Sequence, residues 1–316
     1  MNKAVLIMAY GGPDNLNDIE PYLLDVRGGR PTSPELIAEI RSRYAQIGGR
    51  SPLLDITQAQ ASGLEKALDA LSSSGDSYQV FVGMRHWKPT IRDAVDKIAA
   101  AGYQDGLALC MAPHASKMSS GAYLAKLKEA LSSQPTPPAI QFIESWHDQP
   151  FLIQSLAQKV REATQKFTPD ARRGIYYLFT AHALPVALNE QGDPYAEQVQ
   201  ATARLLANEL GLTDARWTFG FQSAPATAGQ WMKPAIEELL PSLAKKGYKD
   251  ILVTPVGFMA DHVEVLYDLD IAAQQIARQN GIHLVRSESL NDSPHFLDGL
   301  ARFILDNWRV DAIGHH

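Results

Sequence analysis

An α/β fold is what the sequence predicts, and two observations predict it. Short apolar, β-branched runs alternate along the whole chain with longer stretches of helical periodicity, the pattern of parallel strands joined by crossover helices. The strand candidates also divide evenly between the two halves. The first half offers Ala4–Tyr10, Gln79–Met84, Gly106–Ala112 and Ile140–Trp146; the second offers Gly174–Phe179, Arg216–Phe221, Asp250–Val256 and His283–Glu288. Between them lie helical stretches such as Pro52–Leu71, Ile91–Ala101, Tyr195–Leu210 and Trp231–Lys245. Each half therefore reads as a Rossmann-like domain with a parallel four-stranded sheet. The boundary is expected near Gln149-Pro150, giving domains over residues 1–149 and 150–316, with the last helix a candidate to pack back on the first domain. The hydrophilic stretch Gln165–Arg173 would lead the second domain's first helix into its first strand.

With 316 residues, 45% of them hydrophobic, the chain can bury a large core without disulfides or structural metals. Its single cysteine, Cys110, sits in the apolar run Leu107–Met111 and reads as a small buried hydrophobe. One thiol excludes an internal disulfide and a four-thiolate iron–sulfur cluster built from this chain alone. The formal charge of −6 argues against a general polyanion-binding surface, so nucleic acid is not an expected partner. Residues Met1–Met8 combine a lysine with a short apolar run, but Gly11-Gly12-Pro13-Asp14 follows at once and no cleavage region does. No apolar stretch approaches the roughly 20 residues that span a bilayer. A cytoplasmic location is the expectation.

In sheets of this kind ligands sit beyond the carboxyl ends of the strands, and the unusual residues of this chain lie there. The first half supplies Ala9-Tyr10-Gly11-Gly12-Pro13, Ala112-Pro113-His114 and Glu144-Ser145-Trp146-His147. The second supplies Thr180-Ala181-His182-Ala183-Leu184-Pro185, Gln222-Ser223, and Pro255-Val256-Gly257-Phe258 leading to Asp261-His262-Val263-Glu264. Two such sets facing each other would form a cleft. There is no G-x-x-x-x-G-K-[ST] phosphate loop, no G-x-G-x-x-G after the first strand, no G-x-S-x-G elbow and no H-E-x-x-H, so nucleotide, serine-hydrolase and closed-zinc chemistry lose their usual support.

His182 and Glu264 remain, at the ends of two central strands. An imidazole and a carboxylate together can bind a divalent metal loosely and accept protons near neutral pH. A lone histidine at a strand end is more often a hydrogen-bonded structural residue, which is the ordinary alternative. The segment Asp261–Ala273 reads as a helix that would set Asp261, Glu264 and Asp268 on one face. Acids in a first turn also complement the helix dipole, and Asp261 could be the cap; Asp268 lies too far along for that explanation. Upstream, Arg27, Arg30, Arg41, Arg43 and Arg50 lie among the bends Gly28-Gly29 and Gly48-Gly49, a setting suited to carboxylate binding. The alternative is a solvated helix face paired with Glu35 and Glu39, which accounts for Arg41 or Arg50.

Taken together these segments resemble the ferrochelatase family, and within it the branch that makes coproheme. The resemblance runs from Met8-Ala9-Tyr10-Gly11 through Arg43–Leu53 and Phe179–Pro185 to Pro255–Asp270, and is most specific over Pro255–Asp268. It implies a class II chelatase-like fold and insertion of Fe²⁺ into a porphyrin as two pyrrole protons leave, without redox change. Iron would be a substrate, and no resident cofactor is implied. His182 matches the family histidine that accepts pyrrole protons or first holds iron, and Glu264 the carboxylate that works with it. Tyr10 matches a tyrosine that ligates product iron in the coproheme branch; a phenolate oxygen suits ferric iron. Arg27, Arg43, Tyr44, Ser51 and Tyr123 match positions that hold propionates, and Asp268 is similar to an acid on an iron-entry path. Ala272 stands where some relatives carry a further acid, which argues against a second outer metal site.

Coproporphyrin III is the implied porphyrin, because relatives acting on protoporphyrin IX resemble this chain less at the end of the first strand and over Ala260–Val265. Competing readings are a protoporphyrin IX ferrochelatase, a cobalt or nickel chelatase for a sirohydrochlorin-type ring, a non-catalytic heme or porphyrin carrier, and a periplasmic-type small-ligand binder. The missing export signal disfavours the last. Transient contacts with neighbouring heme-pathway enzymes are a further implication.

Overall fold

The computed structural model describes residues 2–72, 75–224 and 229–308. Strands β1 (Asn2–Ala9), β2 (Ser77–Met84), β3 (Asp105–Cys110) and β4 (Ala139–Ile143) form one parallel sheet in the order β2-β1-β3-β4. Strands β5 (Tyr176–His182), β6 (Trp217–Gln222), β7 (Asp250–Pro255) and β8 (His283–Arg286) form a second in the order β6-β5-β7-β8. In each sheet the chain runs outward to one side and then returns to the other. The carboxyl ends of β1 and β3, and of β5 and β7, therefore flank the point where the winding reverses, the usual location of a ligand in an open α/β sheet.

The strands form where the sequence keeps both faces apolar, as a parallel sheet covered on both sides requires. Ala4 to Met8 of β1 are all essentially inaccessible. On one face Ala4, Leu6 and Met8 pack with Ile91, Val95 and Ile98 of the helix Ile91–Ala100 and with Leu127 of the helix Ser120–Ser132. The former helix begins at a capping box in which the Thr90 hydroxyl accepts from the Asp93 N–H and the Asp93 carboxylate from the Thr90 N–H. Around the second sheet Leu178, Ile251 and Val253 pack against Ile236, Leu240 and Leu243. Cys110, at the end of β3, is buried, and burial pushes its thiol far above the usual range. Among the described residues no helix is long and apolar enough to cross a membrane.

All eight predicted strands are present, with ends that move for identifiable reasons. β5 reaches His182 because its pairing with β6 continues to His182 opposite Gln222. Tyr10 lies outside β1, whose register with β2 stops at Ala9 opposite Met84. The expected helix over Trp231–Lys245 begins only at Ile236. Pro234 disfavours helical backbone at Lys233, and Trp231 instead bridges Pro185.

The chain divides into two compact units: the residues up to Trp146 together with the segment from Asn291, and His147–Leu290. The closing helix Pro294–Asn307 belongs to the first unit and packs on the helix Leu53–Leu71. Gly63 permits that approach, since a Cβ there would lie 2.5 Å from Leu297 Cδ1.

In the second unit the turn leaving β7 lies so close to β5 that a Cβ on Gly257 would fall 2.8 Å from Ala181 Cβ and 3.1 Å from its Cα. Little there can yield, because Ala181 is fully buried. Gly257→Ala is therefore expected to lower unfolding stability by about 1–3 kcal/mol, the usual cost of overpacking, read from the denaturation midpoint in urea.

Candidate active site

In the second unit, β5 delivers His182 and the loop after β7 delivers Glu264. The imidazole Nε2 lies 3.4 Å from Glu264 Oε1, and the two side chains are 26% and 36% exposed. His182 Nδ1 is buried without a hydrogen-bond partner among the described residues. Glu264 stands in the first turn of the short helix Val263–Leu266, whose cap is His262: its Nδ1 accepts from the Glu264 N–H at 3.2 Å. Phe258 presents its ring edgewise to both histidines, with centroids 6.5 Å from His182 and 4.6 Å from His262.

The buried amide of Gln222 joins the strand ends. Thr180 Oγ1 donates to its Oε1 at 2.6 Å, and its Nε2 donates to the Glu264 carbonyl at 2.6 Å. The Tyr195 hydroxyl donates to the His182 carbonyl at 2.9 Å. Burial opposes a charge on His182 and is the largest single influence on it. The Glu264 carboxylate, acting by charge and by hydrogen bond, with Asp268 adding to it, outweighs that influence and raises the imidazole pKa above its ordinary value. His262, for which burial prevails over the nearby carboxylates, is lowered instead.

The acidic stripe is not a helix face. After the four-residue helix the chain enters a π-helical segment, Asp268–Ala273, so the three-and-four spacing does not apply. Asp261 precedes the helix and is not its cap. It accepts from Arg286 Nη1 at 3.2 Å and from Ser289 Oγ at 2.7 Å, while Asp270 takes Arg286 Nε and Nη2 at 2.6 and 2.8 Å. Asp268 accepts from the Ser223 hydroxyl. Ser223 holds a left-handed backbone, φ +62°, which is uncommon for a residue with a side chain and is supported here by the hydrogen-bonded strand end.

The first unit gathers a different set around the end of β1. Tyr10 is 40% exposed, with its ring centroid 4.7 Å from that of His86. The guanidinium carbon of Arg85 lies 5.7 Å from the Tyr10 ring centre and 5.5 Å from that of buried Tyr123. Tyr44 and Ser51 are also buried, and both approach Gly12: a Cβ there would lie 2.5 Å from Ser51 Oγ and 3.7 Å from the Tyr44 hydroxyl. Arg27 Nε donates to the Arg30 carbonyl at 3.4 Å, and Arg43 Nη2 meets Glu39 Oε1 at 2.5 Å. The alternative assigned to Arg41 and Arg50 needs correction. Arg41 donates to the Leu16 carbonyl and Arg50 pairs with Asp55, because the bends at Gly48-Gly49 carry Arg50 off the helix.

Sequence reasoning missed Arg85 and His86 as site residues, and it placed Gln222 at a ligand-facing strand end without giving it a role. The signal was available, since Arg85-His86 directly follow β2 and Gln222 ends β6. It was weak because neither strand is central, and their side chains gain meaning only from what the neighbouring strand presents.

The family model described as Ferrochelatase matches residues 2–307. A curated relative named Ferrochelatase, from Deinococcus radiodurans, is 41% identical over 300 residues, covering 95% of this chain and 94% of the relative. One named Coproporphyrin III ferrochelatase, from Geobacillus sp. strain WCH70, is 37% identical over 302 residues, covering 95% and 96%. Among solved structures, SirB from Bacillus subtilis with Fe³⁺ superposes with a TM-score of 0.60 over 97% of this chain and 95% of that one, at 12% identity, a likeness of fold.

The His182–Glu264 contact has a titration signature. A histidine whose folded pKa is raised contributes stability that is fully present below the unfolded value, about 6.5, and lost as pH rises through the folded value. Glu264→Gln removes the main source of the rise. In that variant the His182 ring resonances should titrate at lower pH than in the wild type, and the stability difference between the two proteins should shrink as pH rises through the wild-type value. NMR titration and urea unfolding across pH check both; an unchanged His182 titration would refute the pairing.

Proposed function

The chain belongs to the ferrochelatase family, and from that premise we propose that its porphyrin is coproporphyrin III and that His182, Glu264 and Tyr10 carry the chemistry. As a ferrochelatase it is a metal chelatase of heme biosynthesis, a lyase: Fe²⁺ enters the tetrapyrrole, two pyrrole protons leave, and the iron keeps its oxidation state. Such a reaction needs groups that take protons near neutral pH and tolerate a divalent metal beside them.

The observation that carries the proposal is the partly exposed His182–Glu264 pair at the end of β5, within 3.4 Å. The raised basicity of His182 favours it as proton acceptor, and the carboxylate offsets charge arriving as metal or as proton. Asp268, oriented by Ser223, lies next to the pair electrostatically and supplies an acidic approach for iron.

Four propionates distinguish coproporphyrin III from the two of protoporphyrin IX, and a carboxylate taken from water needs donors. Arg27, Arg43, Tyr44, Ser51 and Tyr123 would supply them. Arg43 is engaged with Glu39, but both side chains are substantially exposed, so the pair is worth about 0–1 kcal/mol and exchange for a propionate costs little. Burial holds the Tyr123 phenol well above its usual pKa, so it is a donor rather than a phenolate. Exposed Tyr10 is the phenol suited to ligate product iron once dioxygen has oxidised it from ferrous to ferric after insertion. The Geobacillus relative named for coproporphyrin III supports this choice. The function so proposed requires no resident cofactor, takes iron and porphyrin as substrates, and places the reaction in the cytoplasm with transient contacts to enzymes of the same pathway.

Two outcomes are expected of anaerobic Fe²⁺ insertion followed by the porphyrin Soret band. Insertion into coproporphyrin III should be faster than into protoporphyrin IX at matched monomeric concentrations, with Arg43→Ala weakening the former more; a wild-type preference for protoporphyrin IX would overturn the substrate assignment. His182→Ala should lower turnover by about 10²–10⁴, the usual cost of losing a general base, while still binding porphyrin. Near-normal turnover of that variant would return His182 to a structural role.

A further inference from the structure

Tyr10 is one of very few large side chains with an apolar body left exposed among the described residues, yet its surroundings are tightly organised. The backbone on either side of it is stitched to the segment after β2. Arg85 N–H donates to the Ala9 carbonyl at 2.9 Å, and His86 N–H donates to the carbonyl of Tyr10 itself at 2.9 Å. The next residue, Gly11, has φ +92°, and a Cβ there would lie 2.9 Å from the Trp87 nitrogen, so only glycine fits. These contacts place the His86 backbone alongside Tyr10 but leave the imidazole free to turn about its own torsions.

Asp25 removes that freedom. Its Oδ2 lies 2.7 Å from His86 Nδ1, on a chain segment 61 residues away in sequence. The imidazole is 8% exposed and the carboxylate 46%, so the histidine is enclosed while its anchor reaches solvent. Held in that way, the imidazole forms a wall for the Tyr10 phenol, with centroids 4.7 Å apart at 55°. An exposed tyrosine without such a wall samples several staggered orientations. One that must direct its oxygen at a metal benefits from being confined to a single one.

We infer that His86, oriented by Asp25, is a positioning residue that sets the direction of the Tyr10 phenol for ligation of product iron. The inference rests on the proposed role of Tyr10 as that ligand. It assigns a purpose to a buried histidine and an acid that the insertion chemistry at His182 and Glu264 leaves unused.

The test adds ferric coproheme to wild type, Tyr10→Phe, His86→Asn, Asp25→Ala and His86→Phe, and measures the phenolate-to-iron charge-transfer band and the phenolate modes in resonance Raman. His86→Asn keeps a donor for Asp25 but loses the ring. Asp25→Ala loses the anchor at a half-exposed site where folding is not at risk. His86→Phe restores a ring without its tether. The ratio of phenolate-ligated to unligated product should fall about two- to tenfold in His86→Asn, as expected for one lost ring contact, should also fall in Asp25→Ala, and should recover in part in His86→Phe. If Tyr10→Phe keeps the wild-type spectrum, the role of Tyr10 fails and takes the inference with it. If Tyr10→Phe loses the band while His86→Asn and Asp25→Ala match the wild type, the inference alone is overturned. A His86→Phe spectrum no better than that of His86→Asn overturns the ring contact as its cause.

Discussion

A single buried amide holds the carboxyl end of the second sheet in register. Gln222 sits at the end of β6, opposite His182 on β5, and its side chain spans from the Thr180 hydroxyl to the Glu264 carbonyl beyond β7. Three separate chain segments thus share one rigid group. The orientation of that amide is dictated by its partners, because the Glu264 carbonyl can only accept and must face the NH₂. The Thr180 bond is buried, so breaking it leaves a desolvated polar atom, at a cost of about 1–3 kcal/mol; the bond to the Glu264 carbonyl is partly buried. The His182–Glu264 distance is consequently set by a crosslink that touches neither functional atom.

The two units repeat one strand order and carry different side chains at the corresponding positions. In the first, the strand that begins the sheet ends in an exposed phenol attended by an arginine and a histidine. In the second, it ends in a basic imidazole attended by a carboxylate. A parallel sheet makes this division natural. Its strands are buried on both faces and must be apolar, so the residues just past their ends are where chemistry can vary without loss of core.

Much of this was legible in the sequence. The eight strands stand out because double-sided burial leaves unbroken apolar runs such as Val5-Leu6-Ile7-Met8, and His182 stands out because it closes such a run; Glu264 stands out within the acidic segment that follows one, and Tyr10, read as the last residue of a strand candidate, only through the family resemblance. The acidic segment was misread for a specific reason. Regular spacing implies one face only while the helix keeps one period, and nothing in Asp261–Ala273 announces the change to π geometry. Asp261 looked like a cap because its true partners, Arg286 at the end of β8 and Ser289 just past it, are distant in sequence. Likewise Glu39 could serve Arg41 or Arg43 by sequence distance; helical geometry selects Arg43, four residues on, and leaves Arg41 for the Leu16 carbonyl. His86 was invisible for the same cause, since its meaning depends on an aspartate from a distant helix.

The burial of Cys110 has a bearing on how such a protein survives its own substrate. Ferrous iron in air generates oxidants, and a thiolate is the group they attack first. Enclosed at the end of β3 with its ionisation suppressed, the chain's only thiol offers them no thiolate and cannot compete for the metal as a soft ligand. The same enclosure makes the sulfur a native reporter: a thiol reagent reaches it when the first sheet opens, so its labelling rate follows excursions of that sheet.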